Sequence, residues 1–169
     1  LDMVLKSIVS QSILPDQIII ADDGSSKETA SVVKKYTEAL PIQHIWHEDK
    51  GFRKTIILNK ALAACTTDYI IEIDGDIIVH KHFIRDHIKA AQKGFFVQGS
   101  RAMMGESLSN KVLNQKISKI NFLTKGMTTR FNAIRLPFLS CLFKTNPYSS
   151  KNVKGCNIAF WREDYIRIN

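Results

Sequence analysis

Two short runs of β-branched residues each end in a pair of carboxylates, and this pattern constrains the fold more than any other feature. Residues 18–21 lead into Asp22 and Asp23, and a second apolar run later in the chain ends in Asp74 and Asp76. Strands that alternate with helices form parallel sheets, in which the carboxyl ends of the strands share one edge. Ligands of open α/β sheets bind outside that edge. The two pairs therefore predict one acidic site.

The same alternation extends over residues 1–100 and predicts a mostly parallel sheet with helices on both faces. Ser25 and Glu28 have capping-box spacing for the second predicted helix. In chain order, the pattern predicts helix 1–12, strand 17–21, helix 26–39, strand 43–46, helix 53–64, strand 69–73, helix 81–93 and strand 95–99.

Composition limits the class of protein. A chain of 169 residues, 44% hydrophobic and 24% charged, is typical of one soluble globular domain. Its three cysteines, Cys65, Cys141 and Cys156, form neither a zinc pattern nor a disulfide framework, so we interpret them as reduced thiols of a cytosolic protein. No apolar run reaches the roughly 18–20 residues of a membrane-spanning helix.

The Asp-Gly-Asp segment at 74–76 has the chemistry of a cation site. Two clustered carboxylates are hard oxygen ligands, which suit Mg²⁺ or Mn²⁺. Gly75 would let a bulky ligand approach the backbone. A turn with two solvated carboxylates is the alternative, and for Asp22 and Asp23 the alternative is ordinary turn chemistry.

Positive charge is concentrated in residues 107–162, which hold ten Lys or Arg and no Asp or Glu. The chain as a whole carries +8, so the remainder nets −2 (8 − 10). Basic residues interleaved with apolar ones predict a surface that contacts an anionic membrane peripherally or binds an acidic partner. A solvated basic helix packed on the sheet, or a cover that neutralises a phosphorylated acceptor, are alternatives. No recognition motif for nucleic acid accompanies the charge.

Taken together, the motifs resemble family 2 glycosyltransferases of the GT-A fold, an α/β, Rossmann-like nucleotide-diphospho-sugar transferase fold. The resemblance is to the branch with chondroitin polymerases and galactosyltransferase-like bacterial enzymes. The matching segments are 21–25 (Ala-Asp-Asp-Gly-Ser), 47–54 (His-Glu-Asp-Lys-Gly-Phe-Arg-Lys), 59–61 (Asn-Lys-Ala), 74–76 (Asp-Gly-Asp) and 155–164 (Gly-Cys-Asn-Ile-Ala-Phe-Trp-Arg-Glu-Asp).

The resemblance implies a single GT-A catalytic domain over 1–169. Residues 1–100 would be the nucleotide-binding half, and 101–169 the basic variable segment and the acceptor-side half. Family members have a strand before the first helix, and their general base follows the last motif. We therefore expect the chain to lack its first strand and its C-terminal segment, and the general base to lie beyond Asn169.

The resemblance also implies roles for individual residues. Asp76 would bind Mn²⁺ or Mg²⁺ directly, with Asp74 on the metal or the ribose. Arg53 and Lys54 open a helix, where cationic side chains would contact phosphate or uracil; an ion pair of Arg53 with Glu48 or Asp49 is the alternative. The residues predicted to bind the nucleotide sugar are Asp22, Asp23, Arg53, Lys54, Asn59 and Asp74.

On the acceptor side, Asn157 would hydrogen-bond a sugar and Trp161 would stack on one, with a packed core tryptophan as the alternative. Glu163 and Asp164 are interpreted as helix N-terminal charge. His80 is interpreted as a capping or surface residue. His44 and His47 are given no role.

The implied function is an inverting, metal-dependent transfer from a UDP-sugar to a glycan or lipid-linked acceptor. The donor would be UDP-galactose, UDP-GalNAc, UDP-GlcNAc or UDP-glucuronate. The product would be a surface polysaccharide made at the cytoplasmic face of a bacterial membrane. A nucleotidyltransferase-like sugar-nucleotide enzyme and a non-catalytic nucleotide-binding or membrane-associated scaffold are the alternatives.

Overall fold

The chain alternates helices and strands in the computed structural model, which describes residues 1–114, 120–136 and 153–168. The helices are α1 (Asp2–Val9), α2 (Lys27–Lys34), α3 (Lys54–Ala64), α4 (Phe83–Ala90), α5 (Glu106–Leu113) and α6 (Arg162–Ile168), with a 3₁₀ turn at Arg130–Ala133. The strands are β1 (Ile18–Asp22), β2 (Ile42–Trp46), β3 (Tyr69–Ile73), β4 (Val97–Gln98), β5 (Met103–Met104), β6 (Met127–Thr128) and β7 (Asn157–Trp161).

All eight elements predicted over residues 1–100 are present, and β3 has the predicted bounds. The helices are shorter than predicted. Helix α2 ends at Lys34, because the N–H of Tyr36 bonds to the carbonyl of Val33 in a tighter turn. The capping box predicted for Ser25 and Glu28 is wrong. Ser26 is the N-cap residue, and Ser25 turns back toward the preceding strand, β1.

Within the described residues the strands form three separate sheets, one parallel and two antiparallel, rather than one mostly parallel sheet. Strands β1 and β2 pair in parallel, with Ile18 opposite Ile42. Strand β7 lies between β3 and β4 and is antiparallel to both. It pairs Asn157 with Ile73, so the start of β7 lies beside the carboxyl end of β3. This pairing joins segments far apart in the chain, and no local pattern specifies it.

The core holds these elements around the strand ends. Helix α3 packs on β1 and β2 and buries Ile57 and Ala61. Helix α1 is followed by Gln11, whose buried side chain donates to the carbonyl of His80 (2.8 Å) and accepts from the N–H of Ile84 (3.2 Å). The segment that follows β3 is therefore anchored to the end of α1.

Two further findings bear on the sequence analysis. Cys65 and Cys156 are free thiols, as predicted, and Cys141 lies outside the described residues. Among the helices that the structure describes, none is long and apolar enough to cross a membrane.

Candidate functional site

The start of α3 connects the carboxyl ends of β1 and β3. The backbone N–H of Arg53 donates to Asp23 Oδ2 (2.9 Å), and Lys54 Nζ donates to Asp74 Oδ1 (2.8 Å). The hydrogen bond to Asp74 raises the pKa of Lys54 and so favours its charged form. The structure thus brings together four of the six residues predicted to bind the nucleotide sugar.

Asp23 is a partly exposed carboxylate with two neutralising partners. His47, which is buried, donates from Nε2 to Asp23 Oδ1 at 2.5 Å. This bond is the main reason that the pKa of Asp23 is lowered, with the Arg53 N–H adding to it. Asp23 is therefore held ionised at the edge of the site. The guanidinium of Arg53 donates to the backbone carbonyl of Glu48 instead of forming an ion pair with its carboxylate.

Asp22, in contrast, is buried, with 6% of its surface exposed. Its Oδ1 accepts from the Ser25 N–H (2.8 Å), and its Oδ2 accepts from Ser25 Oγ (2.6 Å) and His44 Nε2 (2.7 Å). Burial acts to raise the pKa of Asp22, but the bonds from Ser25 and His44 outweigh it and lower the pKa. In this arrangement Asp22 binds the protein's own groups and fixes the turn.

The two histidines that sequence reasoning left without a role are therefore partners of the Asp pair. Both lie on or just after β2, and β2 is registered so that Ile20 lies opposite His44. The turn itself needs a glycine, because Gly24 has φ +92° and a Cβ there would lie 2.5 Å from the Cα of Asp49. The sequence holds no local signal for these partners, because the pairing of β1 with β2 brings them to the Asp pair.

Asp74 and Asp76 lie in the turn that follows β3. The Asp74 N–H donates to the carbonyl of Cys156 (3.3 Å), and the Ile77 N–H donates to the carbonyl of Asp74 (3.2 Å). Asp76 is exposed. Within the described residues no group of three His, Cys, Asp or Glu could hold a metal on its own. Two carboxylates nevertheless fit Mg²⁺ or Mn²⁺, which bind through one or two carboxylates together with substrate phosphates.

Glu72 is a third carboxylate that sequence reasoning missed. It lies on β3, two residues before Asp74, and is close enough to interact electrostatically with Asp74 and Lys54. Burial raises the pKa of Glu72, and the nearby positive charge of Lys54 opposes that shift. A glutamate inside an otherwise apolar strand was the available signal.

A groove of about 760 Å³ extends from this site between β1 and β3. Its walls are mainly apolar and include Ile18–Ala21 of β1 and Tyr69–Ile73 of β3. Asp23, Lys54 and Asp74 line it near the carboxyl ends of these strands, and Asp16 and Asp68 line it near their amino ends. Phe52 also lines it and is 89% exposed, more than any other large apolar side chain that the structure describes. An apolar groove with a charged end is the usual form of a ligand site.

The remaining predicted residues are placed differently. Asn157 lies near the site, but its side chain is buried: His87 Nε2 donates to its Oδ1 (3.1 Å), and its Nδ2 donates to the carbonyl of Ser100 (3.2 Å). A contact with a sugar would require these bonds to break. Asn59 lies on the exposed side of α3, more than one turn beyond Lys54. His80 is an exposed residue whose Nδ1 accepts from the His82 N–H, as predicted.

Trp161 is not at this site. It pairs with Tyr69, at the opposite end of β3 from Asp74, and its ring packs against that tyrosine with Lys93 Nζ 3.9 Å from the ring centroid. Beside it, Glu163 binds Lys93 (2.6 Å) and Asp164 accepts from the Gly94 N–H. These two carboxylates lie in the first turn of α6, which confirms their interpretation as helix N-terminal charge.

The basic segment is only partly within the described residues. Its described portions are 107–114, 120–136 and 153–162, and the middle one exposes several apolar side chains next to Lys125 and Arg130. These side chains are Phe122, Leu123, Phe131, Ile134 and Leu136. Arg135 instead forms an ion pair with Asp86 of α4 (2.5 Å). The rest of the segment around 115–119 and 137–152 lies outside the described residues.

Comparison with known proteins assigns the chain to a family. The sequence profile of glycosyl transferase family 2 matches residues 1–151. A chondroitin synthase of Pasteurella multocida is 26% identical over 89 residues, which are 52% of this chain and 9% of that protein. A hyaluronan synthase of Pasteurella multocida is 25% identical over 89 residues, again 52% of this chain and 9% of the relative.

A third relative, the validoxylamine A glucosyltransferase of Streptomyces hygroscopicus subsp. limoneus, is 24% identical over 92 residues, 53% of this chain and 20% of that protein. The chain therefore matches only a small part of the length of these relatives. The profile, in contrast, covers most of the chain and includes both Asp pairs and the start of α3. It agrees with the mixed α/β architecture and confirms the predicted GT-A fold class. The chain belongs to glycosyl transferase family 2.

Proposed function

We propose that this chain forms the donor-binding part of an inverting, metal-dependent glycosyltransferase that takes a UDP-sugar and extends a glycan or lipid-linked acceptor. One observation carries the proposal: the first turn of α3 links Asp23, after β1, to Asp74, after β3. Two of the relatives are polysaccharide synthases by name, which supports a role in polysaccharide synthesis. We place the protein at the cytoplasmic face of a bacterial membrane.

Different residues of the site would bind different parts of the donor. Asp23 is ionised and at the edge, so it can accept hydrogen bonds from the uracil or the ribose. Arg53 and Lys54 bring positive charge next to the position of the diphosphate. Asp74 and Asp76 would hold Mn²⁺ or Mg²⁺, which when bound supplies charge that stabilises the leaving diphosphate.

The proposed reaction is a single displacement. The acceptor oxygen forms a bond to the anomeric carbon, the bond from that carbon to the β-phosphate oxygen of UDP breaks, and a carboxylate base takes the acceptor proton. Glu163 and Asp164 are engaged with Lys93 and Gly94 at the opposite end of β7 from the site. We therefore propose that neither of these two carboxylates is the general base.

Replacement of Asp76 tests the proposal. In the full-length protein we expect UDP with Mn²⁺, at about 100 times its Kd, to raise the Tm by roughly 5–10 °C, and EDTA to remove the shift. Asp76→Asn should lose the metal-dependent shift, because it removes a charged ligand. Glu38→Gln is the control, since Glu38 is exposed beyond α2 and does not line the groove.

The outcomes separate the alternatives. A metal-dependent UDP shift that persists in Asp76→Asn contradicts the metal assignment. Stabilisation by GDP, CMP or dTDP in place of UDP would change the donor. UDP binding by a complete, folded protein that transfers no sugar would favour the non-catalytic scaffold.

A further inference from the structure

The ammonium group of Lys54 is bound to Asp74, a carboxylate that the proposed metal would need as a ligand. Its Nζ lies 2.8 Å from Asp74 Oδ1, and the two side chains are 43% and 34% exposed. The pair is therefore at the surface of the site, where a ligand can reach it. Glu72, on β3 two residues before Asp74, adds negative charge that also favours a cation at this position.

A divalent cation cannot bind Asp74 Oδ1 while the ammonium group remains there. The two would compete for the same oxygen, and their like charges repel at this distance. Lys has a flexible four-carbon stem and a compact charge that can change partners. Because half of the side chain faces solvent, Lys54 can leave Asp74 without disturbing the core that α3 forms through Ile57 and Ala61.

We infer that Lys54 holds Asp74 in the nucleotide-free protein and transfers to the donor diphosphate when the metal and the nucleotide bind. The inference rests on the proposed function, in that it takes the donor to be a nucleoside diphosphate sugar. It makes one side chain responsible for coupling metal binding to donor binding. Before the donor binds, Lys54 lowers the affinity of the site for the metal. After the donor binds, Lys54 donates a charge-assisted hydrogen bond to the phosphates.

Lys54→Met tests this, because methionine has nearly the same length, favours helix and carries no charge. Lys60→Met is the matched control on the exposed side of the same helix. In nucleotide-free, full-length protein, titration of Mn²⁺ followed by electron paramagnetic resonance should show at least about tenfold tighter binding in Lys54→Met. In saturating Mn²⁺, calorimetry should show UDP binding weakened by at least about tenfold, with uridine binding unchanged.

Each outcome is decisive. Unchanged or weaker Mn²⁺ binding in Lys54→Met would mean that Lys54 does not compete with the metal and would overturn the inference. Tighter Mn²⁺ binding with unchanged UDP affinity would mean that Lys54 never reaches the phosphates, which also overturns it. Lys54→Gln repeats the test with a polar side chain in case the apolar one disturbs the fold. If the wild-type protein binds no UDP with Mn²⁺, the proposed function itself has failed, whereas a failure confined to the variants concerns Lys54 alone.

Discussion

Two adjacent carboxylates, Asp22 and Asp23, have different surroundings and therefore different roles. Asp22 is buried and accepts three hydrogen bonds from Ser25 and His44, whereas Asp23 faces the site beside His47. A buried carboxylate with its bonds satisfied stabilises a turn. Only the second aspartate presents negative charge to a ligand.

Asp22→Asn should lower the free energy of unfolding at pH 7 by about 1–3 kcal/mol, because the amide weakens charged hydrogen bonds in a buried place. The folded-state pKa of Asp22 is lowered, so its stabilising contribution is complete above the unfolded value of 3.8 and is lost as the pH falls through the folded value. The difference between wild type and variant should therefore shrink below pH 3.8. Urea denaturation at several pH values measures this, with Asp16→Asn as the control. Equal stability of Asp22→Asn and wild type at pH 7 would show that the charged hydrogen bonds of Asp22 do not stabilise the turn.

The positions of these aspartates could be predicted from the sequence, because an apolar run that ends in carboxylates is a local pattern. Their partners could not. His44 and His47 lie 22 and 24 residues from the aspartates that they bind, on a strand whose register only the fold defines. Glu72 was missed for a related reason: its charge matters through Lys54, which lies on α3 and is 18 residues away in the sequence.

At the scale of elements, the groove between β1 and β3 is the unusual feature. Within the described part of the chain, β1 pairs only with β2, and β3 only with β7, so each strand has one edge that makes no ladder bonds. The groove is lined by both of these strands. Unpaired backbone groups beside apolar walls favour the addition of a strand.

We expect a further β-strand to pair with the open edges of β1 and β3 in this groove. Half of the amides of β1 and β3 point away from their present partners, and pairing should protect them from hydrogen exchange by about 10³-fold or more. Exchange measured by NMR on the full-length protein checks this, with the outer amides of β2 as an internal control. Rapid exchange of the β1 and β3 amides would show that the groove remains open to ligand or solvent.

The elements themselves were predictable where their signal was local. The apolar run at 69–73 gave β3 its bounds, but the partner of β3 is β7, from the far end of the chain and in the opposite direction. Alternation of strands and helices favours parallel pairing, and it does not indicate that a distant strand pairs in the antiparallel direction. Because β7 is antiparallel to β3, Trp161 lies beside Tyr69 at the start of β3. The sugar site predicted for Trp161 is at the other end of β3.

At the scale of the whole molecule, charge is segregated. Residues 107–162 carry a net charge of +10, whereas the remainder of the chain carries −2. The acidic site lies in this net-negative remainder. The described portion of the basic segment exposes apolar side chains beside Lys125 and Arg130. Apolar and basic side chains on one exposed surface favour an anionic lipid surface over solvent.

We therefore expect the full-length protein to bind vesicles of phosphatidylcholine with phosphatidylglycerol, but not phosphatidylcholine alone, and to be released by added salt. Each basic residue near an anionic surface contributes about 1 kcal/mol, so the double change Lys125→Gln and Arg130→Gln should weaken co-sedimentation about 30-fold. The matched control is Lys27→Gln with Lys34→Gln, two exposed lysines of α2, outside the basic segment. Equal losses in both variants would mean that only net charge matters. Salt-insensitive binding, or none, would instead favour the alternatives in which this segment packs on the sheet or covers the acceptor site.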